Sequence, residues 1–156
     1  MKTFRFTPLM LTLFICVACF SFQNSFAQTG NYFAGPGAGT GNSGSYNTGV
    51  GYNSLHSSNT GNYNSAMGYA SLYTNTSGYF NTASGFDAMY ANTTGYFNIA
   101  NGGYALYKNT TGYYNIANGY RALYSNTSGS NNIATGSNAL YSNTTGTNNI
   151  ASGYQA

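Results

Sequence analysis

Glycine recurs at Gly51, Gly68, Gly85, Gly102, Gly119, Gly136 and Gly153, each 17 residues after the last, and this period governs what the chain can fold into. A second glycine series from Gly44 to Gly146 keeps the same step, as does an asparagine series from Asn47 to Asn149. The consensus unit reads G-Y-x-A-L-Y-x-N-T-T-G-x-x-N-I-A-x. Its other slots are equally regular. One is small (Ser54, Ser71, then Ala88 onward). The next is apolar (Leu55, Leu72, Met89, Leu106, Leu123, Leu140). The next is His56 and then Tyr73, Tyr90, Tyr107, Tyr124 and Tyr141. Later in the unit comes Ala66 to Ala151, preceded by Ser65, Thr82, Ile99, Ile116, Ile133 and Ile150.

Matched columns at a strict period predict one coil per repeat, with identical slots stacked about 4.8 Å apart as neighbouring parallel strands. The expected fold is therefore all-β, a parallel β-solenoid or β-roll with one 17-residue repeat per coil. Two short strands are expected in each coil, around Ala-Leu-Tyr and around Asn-Ile-Ala, with Asn-Thr-Thr-Gly as the turn between them. Leu, Ile and the two Ala slots are expected inside. Asn81, Asn98, Asn115, Asn132 and Asn149 are expected to form a hydrogen-bonded ladder, and the aromatic columns to stack. A helical reading fails, because Gly and Asn recur too often and charged helix formers are missing. A disordered low-complexity chain is the competing reading. Against it, Leu, Ala and Ile keep fixed slots, which a linker has no reason to do. A coil this thin encloses little volume and gains by packing flank to flank. A homotrimer is expected, with a dimer or fibre as alternatives.

The chain has four Lys or Arg and one acidic residue, Asp87, in 156 residues. Nucleic-acid binding needs a basic face to neutralise phosphates, and two scattered cations, Lys108 and Arg121, cannot supply one. The other two, Lys2 and Arg5, open a signal-peptide pattern over residues 1–27. An apolar run from Leu9 to Phe20 follows, and Ser25-Phe26-Ala27 offers a cleavage site before Gln28. That run is shorter than the roughly 20 residues of a membrane span, so no membrane insertion of the mature chain is expected. A lipoprotein reading through Cys19 lacks the Leu expected three residues earlier. Both cysteines, Cys16 and Cys19, lie in this segment, leaving a mature chain without thiols or disulfides. Residues 28–43 lack the columns and are expected to be a Gly-rich flexible lead-in. Residues 44–156 form the repeat domain, whose last coil is incomplete.

From the Thr-Thr slot the unit runs Thr144-Thr145-Gly146-Thr147-Asn148-Asn149-Ile150-Ala151-Ser152-Gly153-Tyr154-Gln155-Ala156. This resembles the YadA-like head repeats of trimeric autotransporter adhesins, with Asn-Ile-Ala-x-Gly-x-x-Ala standing where that family has Ser-Val-Ala-Ile-Gly-x-x-Ala. It is also similar to repeat regions of chaperone-terminated tail-fibre-like proteins. The resemblance covers residues 44–156. It implies a left-handed parallel β-roll, three chains side by side, on a bacterial surface, binding extracellular matrix or host surfaces. Three departures limit it. The unit is longer than the family's repeat. The second inward apolar position is polar here (Ser84, Asn101, Asn118, Thr135, Ser152). No stalk, anchor or chaperone segment follows Ala156, where a partner cap or further sequence is expected.

Catalysis needs titratable groups held together, and beyond the leader the repeats offer one His, one Asp, one Lys and one Arg. His56 reads as an aromatic substitute in a tyrosine column. Asp87 shares a column with Asn53, Ala70, Tyr104, Arg121, Asn138 and Gln155, and is expected to face solvent. No metal or cofactor site is expected, and neither is enzymatic activity. Asn75, Asn92, Asn109, Asn126 and Asn143 each begin an N-glycosylation triplet, although Asn-Thr-Thr also reads simply as the turn. The column Tyr73, Tyr90, Tyr107, Tyr124, Tyr141 is the best candidate for surface or glycan contact. Tyr79, Tyr96 and Tyr113 with Phe80, Phe97 and Tyr114 form a second patch, adjacent aromatics being expected to point to opposite faces. The expected function is a secreted or cell-surface, adhesin-like structural repeat protein. The alternative is a glycan-binding, or less favourably ice-binding, extracellular module.

Overall fold

A computed structural model describes residues 30–57 and 59–156. The signal-peptide reading, with Cys16 and Cys19, lies outside the described residues. The chain is an all-β solenoid. Eight parallel strands form one sheet in sequential order: β1 (Tyr32–Ala34), β2 (Thr48–Val50), β3 (Ser65–Met67), β4 (Thr82–Ser84), β5 (Ile99–Asn101), β6 (Ile116–Asn118), β7 (Ile133–Thr135) and β8 (Ile150–Ser152). The register equals the repeat, with Ile99 against Ile116, Ala100 against Ala117 and Asn101 against Asn118. The first coil starts inside the expected lead-in. Tyr32 pairs with Thr48, only 16 residues on, so a search at the exact period passes over it.

Strands β2 to β8 alternate as a half-buried strand must. In β5, Ile99 and Asn101 face out and Ala100 is fully buried. Asn98, two residues before Ala100, falls on the inner side and is also fully buried. The expectation that Ile lies inside is therefore corrected. Ile99, Ile133 and Ile150 are 40%, 38% and 77% exposed. Period-two alternation allows Ile or Asn inside, not both, and Asn wins because it satisfies backbone groups that the narrow coil would otherwise strand.

Only one of the two expected strands forms. The Ala-Leu-Tyr segment is a turn in which Leu55, Leu72, Met89, Leu106, Leu123 and Leu140 have φ of 49–52°. A left-handed residue with a Cβ costs about 1–2 kcal/mol, so sequence preference alone would not place Leu there. The left-handed twist drives the side chain to the centre of the coil, where Leu55, Leu72, Met89, Leu106 and Leu123 are fully buried. The segment still ladders from coil to coil, since Leu106 N donates to Ala122 O at 3.0 Å and Lys108 N to Tyr124 O at 3.1 Å. Leu, the two Ala slots and two asparagines thus make up the interior.

Candidate functional site: ladders and aromatic columns

The predicted ladder residues are where a ladder requires them. Asn98 Nδ2 donates to Gly112 O at 2.8 Å and Asn81 Oδ1 at 3.2 Å, while Asn98 Oδ1 accepts from Asn115 N at 3.0 Å and Nδ2 at 3.1 Å. Asn81, Asn115 and Asn132 repeat this pattern, and Asn149 continues it with bonds of 3.0 Å to Asn132 Oδ1. Such a row saturates buried amides using only each other and the backbone.

A second asparagine ladder escaped the sequence reading. Asn75, Asn92, Asn109 and Asn126 are fully buried, each donating to the previous rung's Oδ1 at 2.7–2.9 Å and to the glycine carbonyl three residues on. Asn59 belongs to this ladder although it sits 16 residues before Asn75, and it donates in turn to Asn42 Oδ1 at 2.7 Å. These are the asparagines of the glycosylation triplets. The Nδ2 that a glycan would modify is committed inside the coil. The fixed spacing was the available signal, and turn chemistry masked it.

The tyrosine column assembles as expected. Rings of His56, Tyr73, Tyr90, Tyr107, Tyr124 and Tyr141 stack with centroids 5.0–5.4 Å apart. Tyr73, Tyr90, Tyr107 and Tyr124 are half-buried and Tyr141 is exposed. Burial first, and then neighbouring phenols and Asp87, hold the Tyr90 and Tyr107 hydroxyls above the usual tyrosine range.

The second patch corrects another expectation, because its adjacent aromatics share one side. Tyr79, Tyr96 and Tyr113 stack at 4.9–5.0 Å, Tyr46, Tyr63, Phe80, Phe97 and Tyr114 at 4.7–5.1 Å, and Tyr79 meets Phe80 edge-on at 6.0 Å. The cause is again a left-handed residue, with Phe80 and Phe97 at φ 52°, which cancels strand alternation. A further column, Tyr52, Tyr69 and Phe86, stacks at 5.0–5.3 Å and stops at Gly103. Between the patches runs the outer sheet face with its isoleucine row.

Asp87 is not the free surface group expected. Its Oδ1 is buried without a hydrogen-bond partner, and desolvation raises its pKa above the usual 3.8. A raised folded-state pKa means that the folded form holds the proton more tightly than the unfolded form. This contribution to stability is complete below the unfolded pKa and is lost as pH rises through the folded one. Asp87→Asn keeps the shape, suits φ 52° and removes the charge, as Asn53 and Asn138 already do in that column. We expect a thermal midpoint a few degrees higher at pH 7, and a smaller decline in stability between acidic and neutral pH. Calorimetry across that range checks both.

Among the described residues no group of three or more His, Cys, Asp or Glu could hold a metal ion, and no helix is long and apolar enough to cross a membrane. No family model matches this chain, and neither a curated protein nor a solved structure is significantly similar to it.

Proposed function

We propose that the chain is a secreted or cell-surface structural module, adhesin-like and non-catalytic, that self-associates side by side to form or extend an attachment fibre. The observation that carries this reading is the outer face of the sheet. Ile99, Ile116, Ile133 and Ile150 form one outward row, with exposed Phe80, Phe97 and Tyr114 on one flank and Tyr69 and Phe86 on the other. Eight strands about 4.8 Å apart make this face about 34 Å long. The isoleucines occupy β5 to β8, about 14 Å of it, and with their aromatic flanks they form an exposed apolar patch of the kind that marks an interaction site. A second copy has the same row spacing and can engage every coil at once. Inside the coil the amides are occupied in ladders, which suits rigidity and reach rather than chemistry. The proposed assembly is a homotrimer.

Sedimentation of the purified chain at micromolar concentration tests this. Wild type is expected as a trimer. Ile99→Lys with Ile133→Lys is expected as a monomer with unchanged circular dichroism, since both positions face outward. A wild-type monomer, or a variant that still associates, contradicts the reading.

A glycan-binding role draws support from the half-buried tyrosine column, whose stacked rings leave their edges at the surface. The ice-binding variant loses ground. Hydroxyls of Thr76, Thr93, Thr110 and Thr127 donate to carbonyls of the next coil at 2.9–3.1 Å, so this threonine row is not free for a lattice.

A further inference from the structure

The column of Tyr52, Tyr69 and Phe86 is interrupted at Gly103, and several irregular residues gather there. Gly103 stands where the column of Tyr52, Tyr69 and Phe86 calls for another ring. Its neighbour Tyr104 is the one aromatic in the left-handed column of Asn53, Ala70, Asp87, Arg121, Asn138 and Gln155. Asp87 lies one coil before Tyr104 and Arg121 one coil after. With Lys108 these are all the charged side chains of the described residues.

Geometry ties them together. The Tyr104 ring turns edge-on to Phe86 at 5.3 Å and to Tyr120 at 6.1 Å, occupying the gap Gly103 leaves. The Arg121 guanidinium lies 5.0 Å from the Tyr120 ring and 5.7 Å from those of Tyr104 and Tyr124. Three rings hold it in place, and Lys108 Nζ sits 5.3 Å from the Tyr124 ring. Two buried polar atoms are left without partners in the described molecule, Asp87 Oδ1 and Arg121 Nε, and both belong to this spot. A regular solenoid gains nothing from them, because burying an unpaired polar group costs stability.

We propose that this break is a binding site for a carboxylate-bearing sugar of the uronic or sialic acid type. Arg121 offers a planar fork suited to a carboxylate. Tyr104 and Tyr120 offer aromatic surface to the apolar face of a pyranose. With Asp87 Oδ1 buried, the other carboxylate oxygen, Oδ2, is left to accept a hydrogen bond from a ring hydroxyl, and Lys108 adds positive charge. Asp87 and Arg121 are two coils apart, about 10 Å along the axis, which one substituted pyranose spans. The site gives the attachment role above a ligand class, and it rests on that reading.

The test titrates the full chain with methyl glucuronide, the methyl glycoside of sialic acid and neutral methyl glucoside, read by saturation-transfer NMR. At least one acid is expected to bind tenfold or more tightly than the glucoside. Arg121→Gln, which installs the residue already present at Gln155, is expected to reduce that acid to the glucoside's level. Asp87→Asn is expected to weaken it severalfold despite stabilising the fold. Unchanged thermal midpoints for Arg121→Gln exclude misfolding as the cause. Equal binding of acid and neutral sugars, no binding, or an Arg121→Gln variant that binds like wild type overturns the site. Sedimentation of the same samples keeps the two readings apart. A trimer that ignores acidic sugars refutes only the sugar site, whereas a monomer that binds them refutes only the assembly.

Discussion

Asn98→Asp is expected to break the solenoid at its central coil at neutral pH. Asn98 donates to Gly112 O and Asn81 Oδ1 and accepts from Asn115 N and Nδ2, all inside a fully buried position. A carboxylate keeps the accepting side and loses the donating side. It then faces two oxygens at ladder distance with no cation in the coil. An uncompensated buried charge costs about 3–5 kcal/mol. Total stability of a domain is about 5–15 kcal/mol, and coils in a solenoid depend on their neighbours. Loss of one central rung therefore separates the stack into halves. Acidification is expected to restore part of the structure, since a protonated carboxyl regains one donor. Circular dichroism and urea unfolding at neutral and acidic pH check this, and a variant as stable as wild type at pH 7 refutes the ladder's role.

The second large effect comes from two adjacent glycines that should behave oppositely. Gly102 has φ 135°, and a Cβ there would lie 2.6 Å from Gly119 O and 2.7 Å from Gly119 C. Both contacts are backbone of the next coil, so relief requires the coils to part. Gly102→Ala is expected to cost about 3 kcal/mol or more. Beyond its chain neighbours, a Cβ at Gly103 would come nearest to the Tyr120 ring at 3.6–3.8 Å and Phe86 O at 3.9 Å, in ordinary contact. Gly103→Ala is expected to stay within about 0.5 kcal/mol of wild type. Urea midpoints of the two variants provide the comparison, and equal losses would show that the coils do not approach each other as described.

These contrasts also mark how far the sequence could be read. The period fixed the coil, the register and the Asn98 ladder, because identical slots at a constant step can only stack. The site of the strand was legible from Asn-Ile-Ala. Which of Asn98 and Ile99 turns inward was not, since alternation permits either and the hydrophobic preference favours Ile. The answer depends on the coil's narrowness, a tertiary property. Leu106 and Phe97 defeat local reasoning for another reason. Their left-handed backbone runs against intrinsic preference and is held by ladder bonds from neighbouring coils, so Ala-Leu-Tyr looked like a strand and is a turn. The break at Gly103, Tyr104 and Arg121 was visible only as substitutions in tolerant columns. Three-dimensional proximity turned separate irregularities into one candidate site.

Each repeat is one coil stacked directly on the last. Spin labels at Ser77 and Thr145, on a full chain with Cys16 and Cys19 replaced by Ser and diluted into unlabelled protein, test it most directly. The two positions share an exposed column and are separated by 68 residues, or four coils. Stacked coils give a narrow distribution near 19 Å between backbones, about four times 4.8 Å, plus the reach of the labels. A broad distribution centred near 45 Å, as expected for about 68 residues of flexible chain, would contradict it.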